Sequence, residues 1–384
     1  MISDVYFPRI NGVSTSIKTF HKELTGLGHE ITLVAPAYGA DDEQQDWLFR
    51  IPSRYLPVDP EDRMMKRKYL AALCNNTLLQ NHYDIIHIQT PFIAHYAGID
   101  LARRLNVPCV ETYHTHFEDY LHHYLPFLPK RAIRFSVRWF NRKQCNNVDA
   151  VIVPSRAMHA VLTGYGIKQP IEIISTGINE EFFRPGDGMR FRMEYGIDPD
   201  RQVLINVGRV AHEKNIDFLL YMLVEVRKTI PDVLLIITGE GPAQNHLCDL
   251  TRTLKLDNNV RFIGYLDRTT ALLDCYRSGD VFVFSSRTET QGLVLLEAMA
   301  QGVPVVSTSA LGTSDILDAD RGALVAAEQT EDFANKVIRV LQEPGLQQTL
   351  SADARNYART WSAKEFAVKT AAFYEQAISN YYRN

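Results

Sequence analysis

A chain of 384 residues is too long for one ordinary hydrophobic core and fits two domains of typical size. Its 46% apolar and 22% charged residues exclude global disorder, and a net charge of -4 argues against a general nucleic-acid binder. No apolar run approaches the roughly 18 residues of a membrane span, Met1–Tyr6 lacks a signal-peptide pattern, and five scattered cysteines (Cys74, Cys109, Cys145, Cys248, Cys275) without a C-x-x-C pair suggest a reducing cytoplasm rather than a disulfide framework or zinc ribbon.

Along the first half, short apolar or β-branched runs predict strands at Ile31–Ala35, Ile85–Ile88, Cys109–Thr112, Ala150–Val153 and Ile171–Ile174. The second half repeats the rhythm at Val203–Val207, Val233–Thr238, Val260–Ile263, Val281–Phe284 and Val303–Val306. Continuous apolar strands alternating with helical patterns indicate parallel sheets covered on both faces, because such strands bury both sides. The expectation is an α/β protein of two doubly wound domains facing across a cleft. Phe182–Gly188, with a proline and two glycines, is the expected linker, which gives domains of 1–184 and 185–361. Ser362-Ala-Lys-Glu365 is a capping box that opens a helix over 362–384, with Phe366, Phe373, Tyr374, Ile378 and Tyr381 at helical spacing. That helix is expected to pack back on the N-terminal domain. No solenoid repeat or low-complexity tract appears.

In doubly wound folds, ligands lie beyond the carboxyl ends of the strands, which directs attention to the following loops. Gly208–Asn215 follows a strand with a glycine for close backbone approach and with the cations Arg209 and Lys214, a suitable cradle for a diphosphate; solvated loop charges are the plainer reading. It is not a P-loop, since the second glycine and the Lys-Ser/Thr pair are missing. Gly239-Glu-Gly-Pro242 after the next strand is a weaker signal of the same kind. The segment Arg287–Gly302 carries Glu289 in a loop, Gly292 and Leu293 at a helix start, and Glu297 two turns farther on. Carboxylates eight residues apart are not adjacent on a helix face, so each reaches a different part of an extended ligand, while free N–H groups at the helix start point at an anion between them. That combination describes a nucleotide sugar; a helix-dipole acid plus a solvated glutamate is the alternative.

This pattern resembles the Glu-x7-Glu signature of retaining glycosyltransferases with two Rossmann-like domains, the GT-B fold, in the large group-1 family that includes diacylglycerol glucosyltransferases and phosphatidylinositol mannosyltransferases. Gly208-Arg with Lys214, Tyr6–Val13 and Asp84–Pro91 match further segments, so the resemblance covers nearly the whole chain. It implies that Glu297 binds the ribose and Glu289 a donor-sugar hydroxyl, with backbone donors at Gly292 and Leu293. Arg209 and Lys214 would stabilise the departing diphosphate, with Gly208 and Gly239 beside it. Gly12 would bring the N-terminal loop to the diphosphate, His114 would lie beside the transferred sugar, and the base would be read near Tyr265 and Leu266. Transfer would proceed on one face of the sugar, the leaving phosphate taking the acceptor's proton, with no metal required. Two departures stand out. Only Met1–Val5 precedes the first loop, which implies a late start site or a weakened sheet. Asn11-Gly12 replaces the family's paired glycines, a change tolerated because asparagine accepts a left-handed backbone.

A cluster of His114, His116, His122 and His123 with Glu118 and Asp119 fits no standard zinc spacing, and Asp198/Asp200 and Asp318/Asp320 read as turn acids. The acids and bases of residues 1–185 nearly balance, yet Lys130–Lys143 holds six cations and no acid. At 100° per residue Lys130, Arg131, Arg134, Arg138 and Arg142 share one face, with Ile133, Phe135, Val137, Trp139 and Phe140 opposite. This reads either as a core helix with a solvated basic face or as an interfacial helix drawn to anionic lipid, the second favoured by another basic cluster at Arg63–Lys68. The expected activity is transfer of a hexose, from a UDP-sugar by preference, to a lipid acceptor such as diacylglycerol. The enzyme would work as a peripheral protein on the inner face of the membrane. A soluble or polyprenyl-linked saccharide acceptor, or a non-catalytic nucleotide-sugar-binding role, are the alternatives.

Overall fold

The computed structural model describes residues 1–39, 45–55, 63–115, 130–317 and 321–383, without the side chains of 130, 132 and 133. The described residues form two compact units, one drawn from residues up to 176 together with 363–383, the other from 177–362.

In the first unit, strands β1 (Leu33–Pro36), β2 (Leu48–Ile51), β5 (Ile86–Ile88), β6 (Cys109–Thr112), β7 (Ala150–Val153) and β8 (Ile171–Ile173) pair in parallel, while β3 (Ser53–Tyr55) and β4 (Arg63–Met65) form a small antiparallel ladder. Between β1 and β5 the first strand is reduced to Ile2, which bridges Val34 on one side and Ile88 on the other. The amides of Ile2 and Ser3 donate to His87 and Val34 carbonyls at 2.9 Å, enough to join the two halves of the sheet. The spatial order is β2-β1-Ile2-β5-β6-β7-β8, the doubly wound arrangement. β6 and β7 are buried along their whole length, and β7, Ala-Val-Ile-Val, reads as an unbroken apolar run, whereas β6 carries the buried Glu111 and Thr112.

The second unit repeats the order. Strands β9 (Val203–Val207), β10 (Leu234–Thr238), β11 (Val260–Gly264), β12 (Val281–Phe284), β13 (Val305–Thr308) and β14 (Ala323–Ala326) form one parallel sheet ordered β11-β10-β9-β12-β13-β14. Its two faces each carry a core: Val203, Ile205 and Val207 pack on one side, Leu204 on the other. The short strands β2, β3 and β4 carry no sequence signal strong enough to be predicted, since an arginine interrupts the apolar pattern of each, and β14, Ala-Leu-Val-Ala, is apolar throughout but only four residues long.

The crossing from the first unit to the second lies between Thr176 and Gly177, earlier than Phe182–Gly188. That proline- and glycine-rich segment is packed rather than open. The Gln301 side chain donates to the carbonyls of Phe182 (2.5 Å) and Arg184 (2.8 Å) and accepts from the Gly186 amide (3.0 Å). A Cβ on Gly186 would sit 2.3 Å from the Leu273 carbonyl oxygen, and one on Gly188 2.2 Å from that of Arg277. These glycines mark close backbone contact, which composition alone cannot distinguish from a hinge.

The C-terminal helix Ala363–Arg383 belongs to the first unit, where it lies along the helix Gly12–Gly26. Its buried stripe is mostly small: Ala363, Ala367, Thr370 and Ala377, with Phe373 the one large member. Small residues let the helix approach a core built from Phe20, Leu24, Val110, Ile152 and Ile174. The larger Phe366 and Tyr374 flank that stripe.

Candidate functional site

At the carboxyl end of the second sheet, the loops after β9, β10, β11 and β12 interlock. Gly208 ends β9 at φ 154°, and Gly239 ends β10 at φ 121°, inside the region that favours glycine. A Cβ on Gly239 would lie 2.0 Å from the Gly208 carbonyl oxygen, so this backbone contact needs glycine. The loops are tied by Gly208 N to Thr238 O, Val210 N to Glu240 O and Ala243 N to Val210 O, each at 3.0 Å. The Gly239 amide and the Thr238 hydroxyl both donate to the Gly264 carbonyl, at 2.8 and 2.7 Å. Tyr265 and Leu266 follow, the tyrosine exposed and the leucine partly buried.

The charged groups meet in acid–base pairs. Lys214 Nζ donates to Glu289 Oε1, both side chains about a fifth exposed. Arg209 lies 3.7 Å from Glu213, which is itself buried. Arg268 donates to Glu297 Oε1, and the Tyr276 hydroxyl donates to Oε2 at 2.9 Å. Glu297 is 2% exposed, so its carboxylate depends on these two donors. Burial opposes the Arg268 charge, but Glu297 and Tyr276 outweigh it and raise the guanidinium's pKa. Burial and then Glu297 push the Tyr276 phenol well up. Each carboxylate oxygen of Glu297 keeps a further lone pair with which to accept from a hydroxyl.

Gly292 caps the helix Leu293–Ala300 at φ 91°, with no side-chain cap on the first turn. The Glu289 carbonyl accepts from the Gly312 amide at 2.8 Å, anchoring the loop, and Gly312 has no room for a Cβ beside the Thr290 carbonyl. The structure thus brings Gly208, Arg209, Lys214, Gly239, Glu289, Gly292, Leu293 and Glu297 to one edge of one sheet. Arg268 and Tyr276 escaped the sequence reading because they lie 29 and 21 residues from Glu297 in chain order. The only available signal was that a glutamate within an apolar helix needs a buried partner.

Gly12 and His114 belong to the first unit. Gly12 opens its helix, and a Cβ there would meet nothing within 4 Å. Asn11 is not left-handed but extended, at φ -157°, and caps the helix by accepting from the Ser14 amide at 2.8 Å. His114 follows β6, and its Nε2 faces Gln89 Oε1 at 2.9 Å. Desolvation lowers its pKa to about 4, so the imidazole is neutral at physiological pH. His116, Glu118, Asp119, His122, His123, Asp318 and Asp320 lie outside the described residues. Asp198 accepts from the Asp200 amide at 2.8 Å, as a turn acid does. Among the described residues no group of three or more His, Cys, Asp or Glu side chains is placed to hold a metal ion.

The helix Lys130–Cys145 differs from its expected orientation. Val137, Asn141, Gln144 and Cys145 face the core, and Phe135 and Trp139 are 73% and 59% exposed. The polar pair turns inward because each finds a partner: Asn141 donates to the Tyr113 hydroxyl at 2.7 Å, Gln144 to the Pro91 carbonyl at 2.5 Å. Phe135 and Trp139, one helical turn apart, therefore project on the solvent side among exposed Arg131, Arg134, Arg138, Arg142 and Lys143. The side chain of Lys130 lies outside the described residues. No described helix is long and apolar enough to cross a membrane.

Two family models match: Glycosyltransferase Family 4 over residues 10–182 and Glycosyl transferases group 1 over 189–361. An alpha-monoglucosyldiacylglycerol synthase from Streptococcus pneumoniae is 32% identical over 98% of this chain and 85% of its own length. One of the same description from Acholeplasma laidlawii is 27% identical over 98% and 96%. Among solved structures, sucrose-phosphate synthase from Thermosynechococcus elongatus superposes with a TM-score of 0.79 at 21% identity over 99% of each chain. Anabaena HepE in complex with UDP and glucose gives 0.77 at 16% identity over 98% of this chain and 99% of its own. Taken with two sheets of the same doubly wound order and the loop cluster at the end of the second, these matches place the chain in the group 1 glycosyltransferase family, with the GT-B fold.

Proposed function

We propose that this glycosyltransferase moves a hexose, with retention, from a nucleoside diphosphate sugar to the hydroxyl of a membrane lipid of the diacylglycerol type. The observation that carries the donor half is the cluster of Arg209, Lys214, Glu289 and Glu297 around an uncapped helix start. Glu297 binds the ribose diol through its remaining lone pairs, and Glu289 accepts from a sugar hydroxyl. Gly12 and Gly208 allow backbone to approach the diphosphate. Arg209 and Lys214 shift from their carboxylate partners to the phosphates, where they stabilise charge as the glycosidic bond breaks. The neutral His114 lies beside the sugar. The leaving phosphate takes the acceptor's proton on the same face, and no metal takes part. UDP is the favoured nucleotide, supported by the UDP complex of Anabaena HepE.

The acceptor half rests on Phe135 and Trp139 standing exposed within a basic helix face, the chemistry of an interfacial helix on anionic lipid. The synthase names of the two relatives favour a diacylglycerol-based acceptor, and the protein would work as a peripheral enzyme on the cytoplasmic face of the membrane. The test is glucose transfer from UDP-glucose to diacylglycerol in vesicles containing anionic lipid, with EDTA present. The proposal expects an α-linked product and loss of transfer in Glu297→Ala. Absence of nucleotide-sugar binding by thermal shift, or full activity of Glu297→Ala, would overturn it. Transfer only to soluble or polyprenyl-linked saccharides, with no vesicle binding, would replace the lipid acceptor.

A further inference from the structure

A line of buried polar groups runs through the first unit from the C-terminal helix to His114. The Tyr374 hydroxyl lies 2.5 Å from His87 Nδ1, and Gln89 Nε2 is 3.1 Å from the same nitrogen. On the other edge of the ring, His87 Nε2 meets Thr112 Oγ1 at 2.7 Å. The far end of the Gln89 amide, Oε1, meets His114 Nε2 at 2.9 Å. His87 and Gln89 are 2% and 1% exposed, so neither exchanges these partners for water.

The protons in this line are mutually constrained. Burial holds His87 well below the usual imidazole range, so the ring is neutral and has one proton to place. Burial also pushes the Tyr374 phenol up, so it keeps its proton. A phenol donates to an imidazole lone pair more readily than it accepts from an imidazole N–H. Nδ1 of His87 is therefore the acceptor, and the ring proton sits on Nε2, donated to Thr112. Gln89 shares that lone pair as a second, longer donor at 3.1 Å, because its amide oxygen would be repelled there, and this leaves Oε1 to accept from His114. His114 in turn must carry its proton on Nε2 and its lone pair on Nδ1.

Without the phenol the opposite arrangement also satisfies the remaining contacts of the line. His87 would carry its proton on Nδ1 and donate to a reversed Gln89 amide. Thr112 would then donate to Nε2, and His114 would receive an amide N–H and move its proton to Nδ1. Within this line the Tyr374 hydroxyl is the group that separates the two states.

We propose that Tyr374 is a positioning residue, acting through His87 and Gln89 to fix His114 as its Nε2–H tautomer. Its part in transfer rests on the reading above that His114 lies beside the donor sugar. The tautomer itself does not depend on that reading. Tyr374 is 287 residues from His87, so the C-terminal helix is tied to β5 by a hydrogen bond as well as by packing.

The experiment is ¹H–¹⁵N correlation NMR of the full chain labelled at histidine, with His87→Gln and His114→Gln used to assign the two rings. The wild type should show protonated Nε2 and unprotonated Nδ1 on both. Tyr374→Phe keeps the ring, which packs edge-on to His87 with centroids 5.5 Å apart, and removes only the hydroxyl. It should give mixed or reversed tautomers at both histidines, and a kcat about tenfold lower with the donor KM within twofold. Gln89→Leu provides a second break in the line should Tyr374→Phe fold poorly, and should release His114 while His87 stays ordered. An unchanged His114 spectrum in both variants overturns the proposal whatever their activity. A changed spectrum with wild-type kcat overturns the positioning role. An inactive wild type with the expected spectra refutes the assigned reaction and leaves the hydrogen-bonded line standing.

Discussion

The Arg268–Glu297–Tyr276 group offers the sharpest test of the energetics at the candidate donor site. Glu297, only 3% exposed beside Arg268, keeps the Tyr276 hydroxyl as its remaining protein donor in Arg268→Ala. Stranding one member of a buried pair costs about 3–5 kcal/mol. Arg268 is 26% exposed, so water can enter the vacated space, and the low end, about 3 kcal/mol, is expected. Glu297→Ala leaves Arg268 over the Phe182 ring and the Tyr276 hydroxyl without its acceptor, a cost of about 2 kcal/mol. The double variant removes both charges and leaves only the phenol unpaired, so it should cost about 2–3 kcal/mol, not the sum of about 5. The coupling is then about 2–3 kcal/mol. Urea unfolding followed by Trp361 measures it within the second unit, after Trp47 and Trp139, which lie in the first, are changed to Phe. Additive single-variant costs, within about 0.5 kcal/mol, would refute the argument that Glu297 is held by Arg268.

Further outcomes follow from other sites. Burial raises the Asp4 carboxyl pKa from 3.8 to about 6, although it accepts from Thr90 and from the Ala94 amide. A raised folded pKa contributes stability that is fully present below pH 3.8 and lost as pH rises through 6. The wild type should therefore lose about 2.4 kcal/mol relative to Asp4→Asn between pH 4 and 7, and parallel urea-midpoint curves for the two would count against the burial. Gly239→Ala should cost about 3 kcal/mol, through positive φ and collision with Gly208, and lower the melting temperature by about 6–12 °C. Gly12→Ala should melt as the wild type does yet weaken nucleotide-sugar binding, and unchanged affinity would remove Gly12 from the site. Phe135→Ser with Trp139→Ser should reduce flotation with anionic vesicles at least tenfold, while Arg131, Arg138 and Arg142 to Gln should cost about 1 kcal/mol each and flatten the salt dependence. Retained flotation in both sets would assign membrane binding to another surface.

The alternation of buried strands and helices was legible in the chain because parallel strands covered on both faces read as continuous apolar runs, as Ala150–Val153 and Val281–Phe284 do. The loop cluster was legible for a related reason: in a doubly wound sheet the ends of neighbouring strands necessarily gather Gly208, Lys214, Glu289 and Gly292 at one edge. What required tertiary structure were the properties set by a partner far away in sequence. Gly186 and Gly188 resemble a hinge until the backbone at Leu273 and Arg277 is seen against them. The helix Lys130–Cys145 hides Asn141 and Gln144 and exposes Trp139 because Tyr113 and Pro91 supply hydrogen-bond partners that no periodicity contains. Glu297 is satisfied by Arg268 and Tyr276, and His87 by Tyr374 from the opposite end of the chain. Apolar periodicity is a local property, and it determined the elements and their order. Satisfying a buried polar group is a non-local requirement, and only the folded chain decided which residues meet it.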